Sequence, residues 1–82
     1  MTLYWQHEAS GVLAPVIGKY LGGGELSEDE LATMRAYLRR WMLGPWAGPG
    51  VDRLRRRVER LHSTAELRAW FADAACLGID PL

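Results

Sequence analysis

Glycine and proline punctuate this chain so closely that only short elements fit between them. Gly22-Gly23-Gly24, the stretch Gly44-Pro45-Trp46-Ala47-Gly48-Pro49-Gly50, and the pair Gly78 and Pro81 divide it into stretches of about twenty to thirty residues. Glycine loses the most backbone freedom on ordering, and proline lacks the amide that helices and central strands require. Within the intervening stretches, apolar residues recur at helical spacing and no useful alternation suggests a strand. The sequence therefore predicts an all-α fold, a small single-domain bundle of about four short helices over residues 1–82.

The helices are expected at roughly 12–21, 28–43, 51–62 and 64–77, with a non-helical Gly/Pro connector over 44–50. In the first, Leu13, Val16, Ile17, Tyr20 and Leu21 share a face, and Pro15 is tolerated near the start. Ser27-Glu28-Asp29-Glu30 reads as a capping box opening the second, with three carboxylates at the positive end of the helix dipole. Leu31, Met34, Leu38, Trp41 and Met42 form its apolar stripe. Val51, Leu54, Val58 and Leu61 form that of the third. Ser63-Thr64-Ala65-Glu66 reads as a second capping box, after which Leu67, Trp70, Phe71, Ala74 and Leu77 face one way. Gly78 falls where a left-handed C-cap belongs. Leu3, Trp5 and His7 alternate, but residues 1–9 are too short a stretch to assign.

Size limits what can hold such a fold together. The chain has 82 residues and a single cysteine, Cys76, so no internal disulfide staples it, and the core or a partner subunit must supply the stability. Four tryptophans help, because large aromatics remove much area from water. The N-terminus lacks a basic region followed by an apolar run, and no apolar stretch nears the roughly 20 residues that cross a bilayer. With one unpaired cysteine, these features predict a cytoplasmic protein without membrane contact. The abundance of Arg, Ala, Gly and Trp fits a GC-rich bacterial or phage genome.

Charge is the one feature that points toward function. Formal net charge is zero, yet of ten basic residues Arg35, Arg39, Arg40, Arg53, Arg55, Arg56, Arg57 and Arg60 fall in one stretch. At about 100° per residue, Arg53, Arg56 and Arg60 lie opposite the third helix's apolar stripe, within a sector of about 60°, and Arg57 flanks them. Asp52 and Glu59 lie near Arg55 and are expected to neutralise it. Arg40 points outward from the second helix. This stripe suits an acidic protein patch or nucleic-acid phosphates; it equally suits a solvated helix face. A neutral chain lacks the long-range attraction of dedicated nucleic-acid binders. A helix-turn-helix fits poorly, since Ala69, Ala72 and Cys76 on the fourth helix's outer side carry no groups to read base edges.

Two further features suggest contact with another chain. Behind its core stripe the fourth helix carries Ala69, Ala72, Ala75 and Cys76. A helix apolar nearly all round is either covered by its neighbours or forms an oligomer face where small residues allow close approach. Trp46 stands in the connector, either folded back as a lid or presented as an anchor to a partner. Catalytic candidates are sparse: His7, Glu8, Ser10, His62, Glu66, Asp73 and Cys76, without a metal-binding, phosphate-cradling or nucleophile motif. The expectation is thus a non-enzymatic interaction module, an adaptor, regulator or inhibitor, without cofactor or metal. It would bind another protein or itself through Arg40, Arg53, Arg56, Arg57, Arg60 and Trp46, with Ala69, Ala72 and Cys76 as a possible homodimer face. The alternative is a protein that contacts nucleic-acid phosphates without base specificity.

Overall fold

A computed structural model describes residues 12–82. The alternation of Leu3, Trp5 and His7, and the candidates His7, Glu8 and Ser10, lie outside the described residues. Among those described, four helices follow in order: α1 (Leu13–Leu21), α2 (Glu28–Trp41), α3 (Pro49–Val58) and α4 (Thr64–Cys76). The fold is all-α. Helices of 9 to 14 residues are marginal alone, so tertiary packing and end capping must hold them.

The caps follow from local sequence. Pro15 lies in the first turn of α1, and the glycine run closes its other end. Gly23 takes φ 85°, while the Gly23 and Gly24 amides donate to the carbonyls of Tyr20 and Lys19, both at 3.0 Å. This is a Schellman turn, which needs a left-handed residue and so favours glycine. At the start of α2, the Glu30 amide donates to Ser27 Oγ at 3.2 Å and the Ser27 amide donates to Glu30 Oε1 at 2.8 Å. The capping box is complete. At α4 only half of it forms: the Glu66 amide donates to Ser63 Oγ, but Glu66 Oε1 accepts from the His62 amide.

Three boundaries differ from expectation. α2 ends at Trp41, where the Leu43 and Gly44 amides turn back to Arg40 and Trp41. Pro49 and Gly50 belong to α3 and not to a connector, because Gly48 at φ 122° supplies the N-cap and Pro49 occupies the first turn. There proline's missing amide costs nothing. α3 ends at Val58, and Arg60 and Leu61 lie in the junction that follows.

One buried cluster draws on all four helices and the links between them. Ile17, Met34, Leu38, Leu67 and Trp70 are fully enclosed, each side chain worth about 1.5–3 kcal/mol of transfer from water. Consecutive helices pack against one another, and α1 also meets α4 through Tyr20 and Phe71, whose rings lie 5.3 Å apart. Three buried polar groups are paired across elements. Trp70 Nε1 donates to the Leu54 carbonyl at 2.9 Å, Tyr37 Oη donates to Pro81 at 2.6 Å, and Thr64 Oγ1 accepts from the Leu26 amide at 2.9 Å.

Leu77 departs from its expected core position and is 49% exposed. α4 stops one residue before it, and a Schellman turn at Gly78, φ 77°, sends Ile79 inward instead. The Ile79 amide donates to Ala74 at 2.9 Å. Leu21 is likewise exposed, at the last position of α1. The back of α4 is not covered by neighbours: Ala69, Ala72, Ala75 and Cys76 are all exposed.

Candidate functional site

The arginines of the stripe separate into two groups once the helices are packed. Arg35 and Arg55 are structural ties. Arg35 Nη1 donates to the Leu61 carbonyl at 2.7 Å and Nη2 to Glu28 at 3.2 Å, joining α2 to the α3–α4 junction. Arg55 holds the connector to α3, donating to the carbonyls of Met42 at 2.9 Å and Trp46 at 2.7 Å and to Asp52 at 3.1 Å. Asp52 neutralises Arg55 as expected, but Glu59 does not. Its carboxylate accepts two bonds from Arg39 of α2, at 2.6 and 2.7 Å. The Arg39 guanidinium holds the Glu59 carboxyl below its usual range.

Arg57 belongs with the ties as well. Its guanidinium donates to Asp73 of α4 at 2.6 Å, a pair between helices that the spacing within α3 does not reveal. Arg53, Arg56 and Arg60 remain: all three are exposed and make no ion pair among the described residues. Arg40 is exposed on α2.

The two features singled out separately in the sequence become neighbours here. α3 and α4 pack side by side and leave two open depressions along their seam. The first, of about 280 Å³, is lined by Gly50, Arg53, Leu54, Arg57, Asp73, Cys76 and Leu77. The second, of about 260 Å³, is lined by Arg57, Arg60, Leu61, Glu66 and Ala69. They share Arg57, so the Arg57–Asp73 pair interrupts one groove. One bank carries the cations of α3, and the other carries the small side chains of α4. Gly50 keeps the first depression narrow, since a Cβ there would lie 3.1 Å from Leu77 Cδ1.

No family model, curated protein or solved structure matches this chain. Of the expected contact residues, the groove gathers Arg53, Arg57, Arg60, Ala69 and Cys76; Arg56 and Ala72 are exposed but line neither depression. Trp46 is elsewhere and folds back as a lid. Its ring meets Trp41 edge to face at 5.3 Å, and its Nε1 donates to the Trp41 carbonyl at 3.3 Å.

Gly50, Asp73 and Leu77 complete the groove without having been foreseen in that role. Asp73 stands out in sequence as one of the few charges on α4, but its partner lies sixteen residues away. Among the described residues no group of three His, Cys, Asp or Glu side chains could hold a metal ion. His62 Nδ1 lies 3.5 Å from Glu28 and 3.4 Å from Arg35 Nη1 at an exposed helix junction. Among the described residues no helix is long and apolar enough to cross a membrane.

Proposed function

We propose that this protein is a small, non-enzymatic interaction module of the cytoplasm that docks an acidic protein surface on the α3–α4 groove. What carries the reading is that Arg53, Arg56 and Arg60 have no carboxylate partner among the described residues, while the other arginines of α3 are taken up by the fold. Guanidinium groups bind carboxylates through charge-assisted, often bidentate hydrogen bonds. A cluster left available beside a concave seam is suited to that recognition. Catalysis is not assigned, because His62, Glu66 and Asp73 serve as capping or pairing groups at the surface.

The test is capture of partners by the tagged protein from a lysate of its source cells, with and without nuclease, at low and moderate salt. The comparison is the R53Q/R56Q/R60Q variant. The native protein is expected to retain a protein partner after nuclease and moderate salt. The variant should lose it while its thermal midpoint stays within about 2 °C, as expected for surface changes. Loss of all bound material on nuclease treatment would instead assign the stripe to phosphates. A large drop in the variant's midpoint would make those arginines structural.

A further inference from the structure

We infer that the acidic element received by the α3–α4 groove is an amphipathic helix, carrying carboxylates at one-turn spacing beside a strip of small apolar residues. This rests on the function proposed above and makes it more specific, because three observations constrain the occupant's shape.

The first is the register of the available cations. Arg53 and Arg56 precede Arg60 on one outer edge, separated by three and then four residues. The first step lies within α3 and rises about 4.5 Å; the second crosses the end of α3 at Val58 into the turn that holds Arg60. A partner helix alongside presents side chains on one face at i, i+3 or i+4, and i+7, and its three-residue step repeats the Arg53–Arg56 interval. An extended strand places successive same-side residues about 6.8 Å apart, wider than that interval.

The second is the opposite bank. Ala69 and Cys76 line the groove from α4, and Leu77, half exposed, stands at its end. Small side chains let a second backbone approach to the short interaxial distances of packed helices, about 8 Å. Leu77 then gains the burial it lacks in the free protein. A purely electrostatic ligand makes no use of this bank.

The third is the sign of the charges facing the occupant. Glu66 and Asp73 also line the groove, and Asp73 already consumes Arg57. A polyanion of uniform charge, such as a nucleic-acid backbone, meets these carboxylates wherever it leaves the arginines. A helix charged on one side only sets its carboxylates against α3 and its apolar strip against α4. Charge complementarity therefore favours the amphipathic helix over phosphate.

The experiment uses two stapled helical peptides of identical composition. One has glutamates at i, i+3 and i+7 beside an alanine and leucine strip. The other has the same residues dispersed around the helix. Each is titrated into isotope-labelled full-length protein and followed by amide shifts and by fluorescence anisotropy, with a short DNA duplex as a third ligand. The striped peptide should bind about ten-fold more tightly than the dispersed one and shift the amides of Gly50, Arg57, Ala69, Cys76 and Leu77. Filling the groove in an A69W/C76W variant, with its fold checked by circular dichroism, should remove that advantage.

Equal binding of the two peptides, or full binding by the filled variant, overturns the helix inference. If the R53Q/R56Q/R60Q variant still loses both peptides in that case, the acidic-partner reading survives alone. Binding of the duplex but of neither peptide overturns both.

Discussion

The arginines of α3 divide by what each guanidinium touches. Arg55 gives up hydration to hold two main-chain carbonyls and Asp52, whereas Arg56 next to it is exposed and makes no ion pair among the described residues. Bonds from a charged donor to partly buried carbonyls are worth about 1.5–3 kcal/mol, and leaving such acceptors unpaired adds to the loss. Arg55→Gln should therefore cost about 2 kcal/mol, lowering the thermal midpoint by about 10 °C, while Arg56→Gln stays within about 0.5 kcal/mol. Urea denaturation of the two variants checks this, and equal effects would refute the division. Helical angle alone placed Arg53, Arg56 and Arg60 outward. It could not show that Glu59 pairs with Arg39 twenty residues away, or Arg57 with Asp73, since those distances depend on how the helices pack.

Element ends were legible wherever one residue type has a single local explanation. Ser27 with Glu30, and Gly78 at the end of α4, formed as their types required. Gly48 and Pro49 have two local explanations, as a loop or as N-cap and first turn, and the fold takes the second. Glycine's local role also separates two substitutions that composition would treat alike. Gly78 has φ 77°, where a Cβ costs about 1–2 kcal/mol. Gly18 lies within α1, where a Cβ would meet no neighbouring atom within 4 Å, so alanine there removes unfolded-state entropy and gains about 0.5–1 kcal/mol. Gly78→Ala should thus lower the denaturation midpoint and Gly18→Ala raise it. Shifts of the same sign would show that backbone conformation does not control these positions.

Across the whole molecule, the core was readable from periodicity because a helix face either meets the other helices or does not. The groove was not, since it exists only where two helices lie side by side and Gly50 meets Leu77. The same packing places ion pairs between consecutive elements: Lys19 with Glu30 at 2.9 Å, Arg39 with Glu59 at 2.6 Å, and Arg57 with Asp73 at 2.6 Å. Two of these carboxyls are held below their usual range, Glu30 chiefly by the Ser27 amide with Lys19 second, and Glu59 chiefly by its bonds to Arg39. A carboxyl with a depressed folded pKa contributes stability that is complete above the unfolded value, near 4.3, and disappears as pH falls through the folded one. Stability should therefore be nearly level from neutral pH to about pH 5 and fall below that. Glu59→Gln removes one such group without removing its bulk, so the gap between native and variant midpoints should be widest near neutral pH and narrow below about pH 4. Both pairs are exposed enough for salt to screen them, and the gap should also shrink at about 0.5 M salt. Melting curves for both proteins across this pH range decide the matter. Midpoints that stay parallel down to strong acid would mean that the Arg39–Glu59 pair adds nothing to the fold, leaving the α2–α3 contact to apolar packing and the Arg55 clasp.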